Sequence, residues 1–279
     1  MSNDTAGNKL PVGSNENGLE SKRWKISLIG AGNVATHLGQ SLAKVADIVQ
    51  VVSRRLESAQ RLSRLIGGGC MASCTLDDVE CASDLYLLAV NDDSIARISD
   101  SLPDYPGIWA HTSGSVPADV FAGSKTNYGV FYPLQTFTRD VRVDVSEIPF
   151  FIEGNTVSVS ERLASLAGML SGRVEYADSE RRGRLHVSAV FACNYANLMW
   201  LIADELLKKD GLDITYMMPL LKATLGKLND ISPLEAMTGP ARRGDREVVR
   251  KHMEMLRDND REIYRILADR ILNEYPDRR

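Results

Sequence analysis

The sequence predicts an α/β protein in two parts, a doubly wound open sheet followed by an all-helical C-terminal domain. Three observations carry this reading. From Trp24 to Asp178 short apolar runs alternate with amphipathic stretches at helical spacing. A G-x-G-x-x-A turn, Gly30 to Ala35, leads from the first apolar run straight into the first helix. From Ser179 to Tyr275 no run reads as a strand, and long amphipathic segments follow one another instead.

Residues 1–23 read as a disordered tail, because Met1 to Lys22 is rich in Ser, Asn, Gly and Glu and has almost no apolar periodicity. Order is expected from Trp24. Strand Lys25 to Ile29 precedes helix Val34 to Val45, whose Leu38, Leu42 and Val45 share helical spacing. Strand Ile48 to Ser53, helix Glu57 to Leu65 and a short strand near Cys70 to Ser73 come next. Asp84 to Val90 (DLYLLAV) is apolar enough for a central parallel strand, buried on both faces. Gly107 to His111 and Tyr128 to Tyr132 continue the sheet. Pro149 to Glu153 and Arg173 to Tyr176 flank a helix at about Ser158 to Leu170, as in a last crossover unit. The helical part holds Arg182 to Asp210, Ile214 to Leu228, Asp245 to Leu256 and Asp260 to Asn273. Domain limits of 24–178 and 179–279 follow.

The glycine-rich turn points to a dinucleotide. Gly30 permits the tight turn, Gly32 lets backbone approach a pyrophosphate without an intervening Cβ, and Ala35 lets the helix pack closely on the strand. The amides of Gly32, Asn33 and Val34 at the start of the helix would face the anion. About 20 residues further on, a site selective for NAD places Asp or Glu against the ribose hydroxyls. Here that place holds Ser53, Arg54 and Arg55. A hydroxyl and two guanidinium groups accept a 2′-phosphate, which a carboxylate would repel, so the expected cofactor is NADP. The plainer alternative makes Arg54 and Arg55 solvated charges at a helix start, a poor place for cations unless an anion binds there.

Length and charge narrow the class. The chain of 279 residues can bury a full core in two domains. Its net charge of −4, with basic residues scattered, leaves no electrostatic footprint for nucleic acid. No apolar run approaches the roughly 20 residues that span a bilayer, and no secretory signal is evident, so a cytoplasmic protein without a membrane partner is expected. Cys70, Cys74, Cys81 and Cys193 lack paired spacing and nearby histidines, which supports neither zinc nor a disulfide framework; they read as reduced, mostly buried small residues.

Ligands of an open parallel sheet sit outside the carboxyl ends of its strands, so the residues there are the first candidates. Val90 and Asn91 would border the nicotinamide-side ribose, and Asp92 or Asp93 would cap the following helix. His111-Thr112-Ser113-Gly114-Ser115 and Tyr132-Pro133-Leu134-Gln135 are dense in polar groups, suited to a binding wall, although His111 is equally a satisfied, partly buried histidine. On the first long helix, His186 and Asn194 stand eight residues apart among apolar neighbours. Such polar groups are paired or line a cavity. Imidazole titrates near neutral pH, so His186 can supply a proton and Asn194 can hold a substrate oxygen or the nicotinamide amide; the alternative is an interhelix or dimer-interface bond. Lys227 is a further donor or a solvated lysine. In Thr238 to Asp245, Asp245 is a natural N-cap and Arg243 can reach a carboxylate or be an exposed connector charge.

With these motifs in place, residues 24–271 resemble the Rossmann-like oxidoreductases with a helical C-terminal domain of unknown function. These belong to the 6-phosphogluconate dehydrogenase-like superfamily, alongside pyrroline-5-carboxylate reductase, ketopantoate reductase, prephenate dehydrogenase and the deazaflavin-dependent NADP reductases. GAGNVA at Gly30 to Ala35, SGS at Ser113 to Ser115, YPLQTF at Tyr132 to Phe137, LHVSAVFACNY at Leu185 to Tyr195 and TGPARRGD at Thr238 to Asp245 carry the likeness. It implies an NADP-binding domain, a helical domain that often dimerises, and a substrate cleft between them. The likeness has limits. Prephenate dehydrogenase relatives carry a His where this chain has Tyr132, and β-hydroxyacid dehydrogenase relatives carry a catalytic Lys four residues before an Asn, where this chain has Val190.

The sequence therefore predicts an NADP(H)-dependent enzyme that reduces a small carbonyl or imine at the interdomain cleft, with Ser113, Tyr132, His186 and Asn194 as catalytic candidates and a homodimer formed through the helical domain. The alternative, suggested by the missing lysine, is a non-catalytic protein that senses NADP.

Overall fold

The computed structural model describes residues 23–275; the tail predicted at 1–23 lies, but for Arg23, outside the described residues. The chain divides into two compact units between Cys193 and Asn194.

In the first unit the order is β1 (Lys25–Ile29), α1 (Asn33–Leu42), β2 (Asp47–Val52), α2 (Leu56–Ile66), β3 (Met71–Ser73), β4 (Leu85–Leu88), α3 (Asp92–Ser101), β5 (Ile108–His111), β6 (Tyr128–Pro133), β7 (Phe150–Gly154), α4 (Val157–Gly168), β8 (Val174–Tyr176) and α5 (Ser179–Ala189). One eight-stranded sheet results, ordered β3-β2-β1-β4-β5-β6-β7-β8. Strand order reverses at β1, between β2 and β4, which opens the ligand crevice at their carboxyl ends. The apolar run at β4 has a structural cause. Leu85 and Leu87 enter the core that includes α1 and α4, while Tyr86 and Leu88 enter the core on the other face with Ile95, Trp109 and Phe121.

The sheet departs from an all-parallel plan at one place. β6 and β7 pair antiparallel, Gly129 opposite Gly154 and Pro133 opposite Phe150. The connection between them contains only the 3₁₀ turn Val145–Glu147 and no crossover helix, so the chain doubles back. β7, α4 and β8 then form the expected parallel crossover unit.

Helix α5 stays with the sheet because of Arg182. Its side chain is fully buried, pairs with Glu153 of β7, and donates from Nη2 to Val116 O at 2.6 Å. A buried guanidinium needs such partners. Beyond α5 the helix continues through a π segment (Val190–Tyr195) into α6 (Ala196–Leu207). The i+8 count between His186 and Asn194 assumed an α period, which the wider π turns reset.

The second unit contains α6, then α7 (Met218–Lys227), α8 (Pro233–Ala236), α9 (Pro240–Arg243), α10 (Arg246–Glu254) and α11 (Asp258–Glu274). Among its described residues only Val249 and Ala268 are buried apolar groups, whereas Tyr216, Leu220 and Leu225 are each at least 60% exposed.

Two expectations change here. Cys70 alone among the cysteines is buried; Cys74, Cys81 and Cys193 are exposed, because they fall on a loop, a turn and an uncovered helix face. Among the described residues one helical stretch, Ser179–Asp210, is long and apolar enough to cross a membrane by length and composition, contrary to the reading that no run came close. No Asp, Glu, Lys or Arg occurs between Arg184 and Asp204; scattered polar residues such as His186, Asn194 and Asn197 hid the run from a search for unbroken apolar stretches.

Candidate functional site

The glycine-rich turn is built by β1 and α1. Gly30 has φ of +119°, and a Cβ there would lie 2.1 Å from Ala89 O, so the turn runs hard against the end of β4. Gly32 differs: a Cβ on it would meet nothing within 4 Å. The chain itself therefore gives no steric reason for glycine at 32, and the space above it is a cradle that a Cβ would intrude upon. Gly32 is the N-cap of α1, with no side chain capping the helix. The amides there remain available to an anion. Val34 is partly buried, packed against the core. Asn33 turns its amide away, donating to Phe137 O at 3.0 Å.

A cavity of about 750 Å³ opens beside this turn, a size in the range of small-molecule sites. Gly30 and Gly32 form its floor, Ser53, Arg54 and Arg55 one wall, and Val90 and Asn91 another. Arg55 is the N-cap residue of α2, which likewise lacks a side-chain cap. Arg97 and Arg139 complete the lining, giving four arginines and no acidic side chain. Among the described residues none of the four joins an ion pair with Asp or Glu, in a chain of net charge −4. Uncompensated guanidinium groups around uncapped helix starts fit a polyanionic nucleotide. Sequence reasoning missed Arg97, although Ser94, Arg97, Ile98 and Ser101 repeat at helical spacing on α3 and all line the cavity. Arg139 lies on an irregular connection whose pattern carried no signal.

The second cluster follows β5 and β6. Tyr132 Oη and His186 Nδ1 are 3.2 Å apart, the rings edge to face. Gly114 explains their closeness to the SGS turn: a Cβ there would stand 2.7 Å from both His186 Nδ1 and Tyr132 Cζ. Burial pushes the Tyr132 phenol up to about 12, with the Arg182 guanidinium opposing the shift and Asp92 adding to it. Ser113 sits beside this pair but its hydroxyl oxygen accepts from the amides of Ser115 and Val116, both at 3.1 Å, which makes it a turn-forming group. Ser115 Oγ in turn donates to Asp92, joining this turn to the start of α3 at the cavity wall. Asn91, not Asp92 or Asp93, is the N-cap of α3, and the two aspartates occupy its first turn.

His111 is a core residue. Its side chain is fully buried, its Nδ1 accepts from Ser113 N at 3.1 Å and its Nε2 lies 3.4 Å from Pro117 O. Burial lowers its pKa to about 4. An unfolded histidine titrates near 6.5, so protons bind the unfolded chain first as pH falls. The stability in question is fully present above about pH 6.5 and is lost between there and about pH 4, by about 3 kcal/mol at most. Chemical denaturation midpoints at pH 7 and pH 4.5 should show this loss, and His111→Gln should flatten it; a variant with the parental slope rules the assignment out.

Three of the remaining candidates, Asn194, Lys227 and Arg243, fall in the second unit. Asn194 and Lys227 are exposed. Arg243 is tied to Asp245, Nε to Oδ2 at 2.9 Å, so the carboxylate it reaches is its neighbour's; Asp245 holds the N-cap position of α10 without a side-chain cap bond. Gln135 is exposed, its Oε1 accepting from Thr136 N at 2.7 Å.

Residues 10–134 match the family model of a Rossmann-like domain, and residues 148–271 match a domain of unknown function, DUF2520. No curated protein matches the chain. Among solved structures, BF3122 of Bacteroides fragilis, named provisionally as an NADP oxidoreductase, is 39% identical with a TM-score of 0.84, over 90% of this chain and 98% of its own. A reductive aminase from Aspergillus terreus, solved with NADPH and ethyl-5-oxohexanoate, shares the fold at 16% identity and a TM-score of 0.66, over 90% of this chain and 94% of its own. So does the 1-pyrroline-5-carboxylate reductase of Streptococcus pyogenes, at 13% identity and a TM-score of 0.60, over 91% and 98%. With both domain models matched in order and a relative 39% identical across nearly its whole length, this chain belongs to the family that joins a Rossmann-like domain to a DUF2520 domain.

Proposed function

We propose that the protein is an NADP(H)-dependent oxidoreductase that reduces a small carbonyl or imine. The four-arginine cavity over the glycine-rich turn is the observation that carries this. Its floor and the uncapped start of α1 suit a diphosphate, and Ser53, Arg54 and Arg55 suit a 2′-phosphate. Names borne by BF3122 and by the two fold relatives, all oxidoreductases, point the same way.

The bound dinucleotide would supply hydride. This chain supplies the proton that the substrate oxygen or nitrogen then needs. Tyr132 and His186 are its source: a phenol both donates and accepts, so one proton can pass between Oη and Nδ1. Because burial holds the phenol protonated well above neutral pH, Tyr132 keeps its O–H for donation. Gly114 leaves room for the pair to approach, and Arg182 anchors α5, on which His186 rides.

Cofactor choice tests the reading. NADPH should bind at least about tenfold more tightly than NADH by calorimetry, since a charged hydrogen bond contributes about 1.5 to 3 kcal/mol. The double variant Arg54→Ala/Arg55→Ala should lose that preference. Equal affinities in the parent, or a preference kept by the variant, would overturn the assignment.

A further inference from the structure

One cationic side chain in the cavity comes from a strap, the connection that follows β6. After β6 the connection crosses the start of α1 and is pinned there at three points. Asn33 donates its side-chain amide to Phe137 O at 3.0 Å, His37 Nε2 lies 2.9 Å from Thr138 O, and the His37 ring stacks on Phe137 at 4.9 Å. His37 is itself buried, so this is a fixed seam. The next residue is Arg139, whose Nη2 reaches Ala31 O, inside the glycine-rich turn, at 3.4 Å. Its Nε is buried and has no partner among the described residues. A buried guanidinium N–H left unsatisfied is costly, and here it belongs to a side chain that lines the cavity beside Gly32, where the space above the backbone is open.

Resting on the dinucleotide reading above, we propose that Arg139 is a diphosphate ligand, closing on the nucleotide from the side opposite the glycine-turn amides. The planar fork of arginine suits two phosphate oxygens at once, and the bond to Ala31 O is long enough to yield to a charged acceptor. Backbone amides from the turn and a guanidinium from the strap then face one anion together. Asn33 has a positioning part in this: it holds the strap.

Calorimetry with two probes tests the assignment, NADPH and adenosine 2′-monophosphate, which carries the 2′-phosphate but no diphosphate. Arg139→Met should weaken NADPH binding about tenfold or more and leave adenosine 2′-monophosphate within about twofold of the parent. Arg139→Lys, which keeps charge but not the fork, should fall between and stands in if the methionine variant does not fold. Unchanged NADPH affinity overturns the proposal, and so does an equal loss for both probes, since that would make Arg139 a fold element only. A parent protein that binds neither probe would bring down the dinucleotide reading itself; a parent that binds both, with variants indistinguishable from it, would bring down Arg139 alone.

Discussion

Replacing His186 with Gln should lower NADPH-dependent reduction of a small imine or ketone by about 100-fold or more, the usual range for loss of a general acid, and leave NADPH affinity unchanged. His186 is absent from the cavity lining and touches Tyr132 and the SGS turn instead, so chemistry and cofactor binding can be separated. Tyr132→Phe removes the other end of the same hydrogen bond and should fall in a similar range. Because the two act as one unit, the double variant should be little worse than either single one. Turnover screened across small carbonyl and imine substrates reads this out. Full activity in both single variants would end the proton-relay assignment. Tight NADPH binding with no turnover of any such substrate in the parent would favour a cofactor sensor.

Light scattering at micromolar concentration should return the mass of two chains. We expect a homodimer, since the helical unit buries almost no apolar side chain of its own. Val249 and Ala268 are the buried apolar residues among its described ones, while Tyr216 at 64% and Leu220 at 62% exposure, and Phe191 at 67% just before the unit begins, are large groups left facing outward. Exposed apolar surface on this scale marks an interface, and a second copy of the same chain would close it by two-fold symmetry. The apolar helix that passes the length test for a membrane span, Ser179–Asp210, gains a covered setting in such a dimer. A charge in the seam, as in Phe191→Asp or Leu220→Asp, should drive the protein to monomer or to aggregation and lower its melting temperature. A monomeric parent, or an aspartate variant with parental mass and melting temperature, would refute the dimer.

Much of the fold could be read from local pattern, and for a physical reason. Parallel strands buried on both faces read as nearly continuous apolar runs, as Leu85, Tyr86, Leu87 and Leu88 do, and the helices between them keep one face apolar. The glycine turn was legible because its spacing follows a strand and opens a helix, and at Gly30 a positive φ and a Cβ that would stand 2.1 Å from Ala89 O leave room for glycine alone. Ser53, Arg54 and Arg55 were legible because the distance from the turn to the end of β2 is set by one helix and one strand. Tyr132 and His186 were singled out separately, Tyr132 in a polar cluster after a strand and His186 as a polar group among apolar neighbours on a helix.

Only the tertiary structure brought those two side chains together, 54 positions apart in the chain, and joined them to Gly114. It also turned β7 antiparallel, drew Arg139 over α1, and buried two cations no pattern would place inside. Arg182 is held by Glu153 and Val116 O, and Lys125 by Ser99 O at 2.7 Å and Leu102 O at 2.9 Å, with its ammonium over the Trp109 ring. Periodicity reports which face of an element is apolar; it says nothing about which distant backbone carbonyl or carboxylate will satisfy a buried charge. Those partners depend on how the elements pack, so the sequence by itself determined the strands, the helices and the nucleotide turn, and packing decided the Tyr132–His186 pair and the strap.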